Sequence, residues 1–187
     1  MNTDATTRHC WYLRKSPVLA DLPPAALQLL AQTAELCERP RKTTLYLAGD
    51  FAESVYFLHG GRVSSFLMAS AHRIVSLGLY GPTDVFGESC LWTSAPRDET
   101  AVTSTAALYT RIPRALLRMT LDEHRHAEQR LFELAVARRD ATIRRLGGAL
   151  GSSVRARLAS QLVELGEHGH DTPDGRELVF RVVKMGP

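Results

Sequence analysis

Gly81-Pro82-Thr83-Asp84-Val85-Phe86-Gly87-Glu88-Ser89-Cys90-Leu91-Trp92, followed by Pro96-Arg97, is the stretch richest in chemistry in this chain. Gly81-Pro82 marks a turn. Gly87 lets backbone N–H groups come close to an anion. A short helical turn starting at Gly87-Glu88 would aim free N–H groups at a phosphate, with Ser89 beside them. Arg97 stands where it could neutralise that phosphate. Glu88 is acceptor-only when ionised and suits a hydroxyl such as a ribose 2′-OH. Without a ligand, the same residues read as a barrel turn with a surface Arg–Glu pair, and the stretch alone does not choose between the two.

On either side the texture is that of short strands. Residues 43–47, 55–58, 62–66, 74–77 and 108–112 are rich in β-branched, aromatic and aliphatic side chains. Gly49-Asp50, Gly60-Gly61, Gly81-Pro82 and Ala95-Pro96 punctuate them. Many short strands at close spacing predict an antiparallel sandwich or barrel.

Helical patterns flank this region. Before it, residues 16–36 read as helix, with Pro23-Pro24 at its start and Leu27, Leu30 and Ala31 on one face. Residues 1–15 read as an N-terminal arm. After it, Pro113 stands before a return to helix at Arg114. A long amphipathic stretch over 124–150 carries a stripe of Phe132, Val136, Ile143, Leu146 and Leu150, interrupted by Arg139. Gly147-Gly148 and Gly151 are expected to loosen it, and Ser152-Ser153 can cap a further helix over 154–166. A turn at Pro173-Asp174-Gly175 and a strand-like run over 178–183 follow.

The totals exclude several classes. The chain has 187 residues, 44% hydrophobic and 23% charged, with a formal net charge of +3. That is an ordinary globular composition; scattered cysteines, no signal peptide and no membrane span lead to the expectation of a cytoplasmic protein. Residues 1–14 are polar and include Asp4, so they are no signal peptide, and no apolar run reaches the length of a membrane span. Cys10, Cys37 and Cys90 are odd in number and far apart, which argues against a disulfide framework. They also lack the spacing of an iron–sulfur cluster, and Cys37, at a helix end, and Cys90 read as small buried apolar groups. His124-x-His126 and His168-x-His170 lie outside the strand region, which itself has no HxH pair, so no metal site is assigned. Neither GxSxG nor a P-loop is present, and no catalytic residue is assigned.

Three segments taken together carry a family resemblance. They are Leu45-Tyr46-Leu47-Ala48-Gly49-Asp50, Val55-Tyr56-Phe57-Leu58-His59-Gly60-Gly61-Arg62-Val63, and Gly81 to Glu88. They resemble the cyclic-nucleotide-binding fold, and in particular the Crp/Fnr family of transcription regulators, over nearly the whole chain. Gly49, Gly61 and Gly87 match the family's structural turns. The resemblance implies a mainly β fold with helices, an antiparallel β-roll or jelly-roll. It implies a sensor domain over 16–115, a dimerisation helix over 116–151, and the incomplete start of a winged-helix DNA-binding domain over 152–187. The expected function is the effector-sensing and dimerising part of a DNA-binding regulator, not an enzyme. Its partners would be a second copy, DNA through a helix-turn-helix that does not appear before Pro187, and RNA polymerase.

The implied effector site is Gly87, Glu88, Ser89, Arg97, Asp98 and, from the long helix, Thr142. The cassette departs from the cyclic-AMP pattern at Asp98-Glu99, where binders keep a small pair. One unit charge about 4 Å from a phosphate costs roughly 4 kcal/mol at an effective dielectric of 20. Cyclic nucleotide is therefore opposed at this site, and Arg97 is expected to be engaged locally by Asp98, Glu99 or Glu88. Two alternatives stand beside the regulator: a dimeric interaction module with no small ligand, and a haem or redox sensor using His9-Cys10, His59 or His72. The arginines 138, 139, 144, 145, 155 and 157 form either a strip for a phosphate backbone or a solvated helix face.

Overall fold

The computed structural model describes residues 3–70, 73–151, 170–172 and 175–177. The order of elements is α1 (Thr3–Arg14), α2 (Pro24–Thr33), β1 (Glu35–Arg39), β2 (Thr44–Tyr46), β3 (Ser54–Gly60), β4 (Val63–Ser70), β5 (Arg73–Tyr80) and β6 (Val85–Phe86). There follow a 3-10 turn (Glu88–Leu91), β7 (Thr100–Thr103), β8 (Ala107–Pro113), α3 (Arg114–Glu123), α4 (Arg125–Gly151), β9 (His170–Thr172) and β10 (Gly175–Glu177). The chain divides into two compact units, Met1–Arg139 and Asp140–Pro187.

In the first unit two four-stranded sheets, β1-β8-β3-β6 and β2-β7-β4-β5, are antiparallel throughout. This is the antiparallel sandwich expected from the strand texture and the jelly-roll that the resemblance implies. β3 explains the layering. Its run Val55-Tyr56-Phe57-Leu58 is buried at every position. Alternation then sends Tyr56 and Leu58 into the space between the sheets, with Tyr46, Val63, Tyr80, Phe86, Ala101 and Tyr109. Val55 and Phe57 point the other way, into a second core shared with helical residues Leu13, Leu27, Leu30, Leu117, Leu121 and Leu131. A strand covered on both faces loses the apolar–polar alternation and reads as a continuous apolar run.

Three glycines quoted above, Gly49, Gly61 and Gly87, have positive φ, at 93°, 79° and 71°. At Gly61 an added Cβ would lie 1.9 Å from the Ala106 carbonyl oxygen, so the β3–β4 turn admits no side chain there. α2 starts with proline in its first turn, where the missing N–H is no loss.

Within the expected N-terminal arm, Thr3–Arg14 form a helix. α1 packs on the core, with Leu13 fully buried and His9 at 5% exposure. Hydrophobic periodicity does not show it because its buried position 9 is a polar His. The helical reading to residue 36 also ends early. Ala34 is extended, and β1 pairs with β8 so that Cys37 lies opposite Tyr109 in the inter-sheet core. Cys37 therefore sits on a strand, not at a helix end. Strand pairing overrides local helical spacing here.

The helix after Pro113 is two helices, broken at His124. α4 continues without interruption through Gly147 and Gly148 to Gly151. In the second unit β9 and β10 form a short antiparallel hairpin. The expected helix over 154–166, the turn residues Pro173 and Asp174, and the strand-like run over 178–183 lie outside the described residues, as does His72. Among the described residues no helix is long and apolar enough to cross a membrane, and no group of three or more His, Cys, Asp or Glu is placed to hold a metal ion.

Candidate functional site

Gly87 and Arg97 meet, as the cassette reading expects, but through the protein itself. Gly87 takes the left-handed conformation as the cap of the 3-10 turn. An added Cβ would lie 2.8 Å from Arg97 Nη1 and 3.2 Å from the Tyr56 ring, so only glycine lets the guanidinium this close. Arg97 is 5% exposed. Its Nη1 donates to the Gly87 carbonyl at 2.7 Å, and its Nη2 donates to the Ser54 carbonyl. The face of the guanidinium covers the Tyr46 ring at 4.4 Å. Contacts of that kind contribute about 0.5–2 kcal/mol. Its Nε is buried with no hydrogen-bond partner.

The backbone of Arg97 is pinned as well. Its N–H donates to the Asp50 carbonyl at 2.9 Å, and its carbonyl accepts from Gly49 N–H at 2.7 Å. Gly49 thereby belongs to the same site. Two backbone carbonyls, not the expected local acids, take the two Nη groups of Arg97. Glu88 pairs with Arg138 of α4 at 2.8 Å, with side-chain exposures of 12% and 22%. Glu99 accepts from the Tyr46 hydroxyl at 2.9 Å. Asp98 is exposed, as is Ser89.

Arg138 escaped the sequence reading, which placed it only in a run of arginines. Its Nη1 reaches both Glu88 and the Val85 carbonyl, and its guanidinium lies 4.8 Å from the centre of the Tyr80 ring. Burial pulls its pKa down, but Glu88, Tyr80, Asp84 and Glu99 together raise it above the ordinary arginine value. The missed signal was its spacing. Arg138 lies four residues before Thr142, one turn of the same helix. Thr142 belongs to the second unit, where its hydroxyl accepts from Arg145 Nη2 at 3.2 Å.

The rest of the site is aromatic. Phe86 stacks on Tyr56 and Tyr80, with centroids 5.0 and 4.9 Å away, and the Tyr80 hydroxyl meets the Ser65 hydroxyl at 3.2 Å. Among these rings burial raises the Glu99 pKa, against hydrogen bonds from Ser65 and Tyr46 that lower it. Burial also drives the Tyr46 and Tyr80 hydroxyls well above the ordinary tyrosine value, so both are neutral donors. The site thus holds two cations and two acids, and each cation already has oxygen partners.

The stripe residues of α4 are exposed. In the first unit Phe132 and Val136 are 54% and 39% exposed. Trp92, just past the 3-10 turn, sets its ring edge against Phe132 at 6.0 Å. In the second unit Ile143 and Leu146 are 51% and 37% exposed, and the Leu150 side chain lies outside the described residues. Cys37 and Cys90 are buried free thiols, and burial raises both pKa values. His9 and His59 both bond to Thr110.

Comparison with known proteins agrees with this architecture. Residues 37–124 match the family described as the cyclic nucleotide-binding domain. The chain is 24% identical over 155 residues to a CRP-like cAMP-activated global transcriptional regulator of Mycobacterium tuberculosis, covering 83% of this chain and 69% of that one. Among solved structures, it superposes on the c-di-GMP-responsive global regulator CLP of Xanthomonas campestris with a TM-score of 0.68 at 20% identity. That match spans 82% of this chain and 78% of the other. The sensor domain of the regulator DNR of Pseudomonas aeruginosa matches with a TM-score of 0.64 at 18% identity, over 74% and 93%.

Proposed function

We propose that this chain, whose residues 37–124 match the cyclic nucleotide-binding domain family, is the effector-sensing and dimerising part of a Crp/Fnr-type transcription regulator. The observation that carries the reading is the Glu88–Arg138 bridge. It ties the cassette to α4, the helix bearing the exposed apolar stripe. A ligand that takes Glu88, or displaces Arg138 from Val85 and Tyr80, changes how α4 is held. Its effect is limited by its preference for one arrangement of α4 over the other. Promoter DNA and RNA polymerase are the downstream partners of such a device.

The charge balance narrows the effector. Arg97 and Arg138 are already answered by carbonyls and by Glu88, and Glu99 is one acid too many for an incoming phosphate. An ionised Glu99 about 4 Å from a phosphate costs roughly 4 kcal/mol at an effective dielectric of 20. A thermal-shift titration with cyclic AMP and cyclic GMP tests this on the wild type and on Glu99→Ala. The wild type is expected to be unmoved. The variant is expected to gain about 2–4 °C for each kcal/mol of ligand stabilisation. A shift already present in the wild type removes Glu99 as the barrier.

The second reading, an interaction module without a small ligand, is favoured by one feature. The guanidinium that would meet a phosphate instead holds two backbone carbonyls of its own chain. No shift in either protein supports that reading.

A further inference from the structure

Away from the cassette, a buried histidine, His9, and a half-buried one, His59, converge on one hydroxyl. His9 of α1 places Nε2 2.9 Å from Thr110 Oγ1 and Nδ1 2.9 Å from the Ala31 carbonyl. His59, at the end of β3, places Nε2 2.6 Å from the same Thr110 oxygen. His9 is 5% exposed and Thr110 is fully buried.

Counting hydrogens decides the direction of each bond. A carbonyl only accepts, so the His9 proton is on Nδ1. In the neutral ring Nε2 is then bare and accepts the Thr110 hydroxyl hydrogen. That hydrogen is the only one Thr110 has, so His59 Nε2–H must donate to Thr110. The chain runs His59 to Thr110 to His9 to Ala31, with every partner used once.

The geometry points to a pH-operated latch, in which the neutral His9–Thr110–His59 chain holds α1 on the barrel and a proton on His9 releases it. A protonated His9 donates from both nitrogens. Thr110 then faces two donors, its own hydrogen loses its acceptor, and a charge is buried against a second imidazole. The structure supports the neutral state on other grounds. Burial lowers the His9 pKa against the pull of the Ala31 bond, and burial together with His9 takes His59 to about 4.

The surrounding groups do not supply a counter-charge. From α1, the Tyr12 ring stacks on His59 at 5.0 Å, and the Cys10 thiol is turned to the Leu27 carbonyl at 3.6 Å. Arg8 and Arg14 of α1 are exposed. From β1 and β8, Glu35 and Arg111 pair one residue beyond the Leu36–Thr110 register, hence on the other sheet face.

The sign follows from linkage. A histidine that is neutral when docked and ordinary when free favours docking above about pH 6.5, and that support is lost as pH falls toward the docked value. At pH 5.5, below the free value, docking is weaker than at pH 7.5.

Hydrogen exchange of the full chain at pH 5.5 and 7.5, corrected for intrinsic rates, reads the latch directly. Protection of α1 is expected to fall at the lower pH in the wild type and to fall less in His9→Phe, where only His59 still titrates. In case that variant does not fold, imidazole NMR of the wild type provides a second reading. It should show His9 as the Nδ1–H form and His59 as the Nε2–H form, both titrating below 6.5. Equal α1 protection at the two pH values overturns the latch. So does an undiminished pH response in His9→Phe, or a hydrogen on His9 Nε2 at neutral pH.

Discussion

At Gly87 one missing methyl group decides the site. A Cβ there would press on Arg97 Nη1 and the Tyr56 ring, in a backbone region that side chains rarely adopt. Gly87→Ala is therefore expected to destabilise the protein by about 1–3 kcal/mol, read as a lower urea midpoint at unchanged slope. Glu99 carries a second expectation. Its pKa is raised mainly by burial, so it loses its charge at a higher pH than an ordinary glutamate. The barrier to an anionic ligand should weaken as pH falls through that value. Fluorescent cyclic-nucleotide titrations at pH 5 and pH 8 are expected to show any binding only at the lower pH, and equal affinity at both contradicts this. The sequence showed Gly87, Glu88 and Arg97 as one cassette because glycine, acid and arginine are distinctive at that spacing. It did not show that Arg97 turns to the Ser54 and Gly87 carbonyls, because backbone acceptors leave no mark on residue type.

Among the elements, β3, β4, β5 and β8 were legible as apolar runs between turn residues. β1 and the two-residue β6 were not, since pairing with β8 and β3 rather than local pattern makes them strands. α1 was hidden because the polar His9 occupies a buried position on it. α4 was visible from its stripe, but an apolar stripe says nothing of Arg138 on its flank. Since Phe132 and Val136 are exposed in the single chain, burying them against a second copy is the expected use. Phe132→Asp with Val136→Asp should shift the chain to monomer in sizing experiments at concentrations where the wild type is dimeric. The monomer should keep its fold, read by circular dichroism, because neither side chain is in the cores described. A wild type that is monomeric at all concentrations contradicts the dimer.

For the whole molecule, the barrel, the cassette and α4 act together only if the Glu88–Arg138 bridge carries energy between them. A largely buried, charge-assisted bond of this kind contributes about 1.5–3 kcal/mol. The histidine latch at the opposite side of β8 adds a separate dependence. Global stability is expected to rise with pH between about 4 and 6.5, since the unfolded chain binds more protons at His9 and His59 than the folded one. Urea denaturation across that window checks the sign. The most direct test of the coupling is a double-mutant cycle on dimer association. Sedimentation equilibrium would compare the full-length wild type, Glu88→Ala, Arg138→Met and the double variant. The predicted result is a weakened dimer in each single variant and a coupling of at least about 1 kcal/mol between the two positions. Single variants that associate like the wild type, or effects that add within about 0.3 kcal/mol, contradict a cassette that acts through α4.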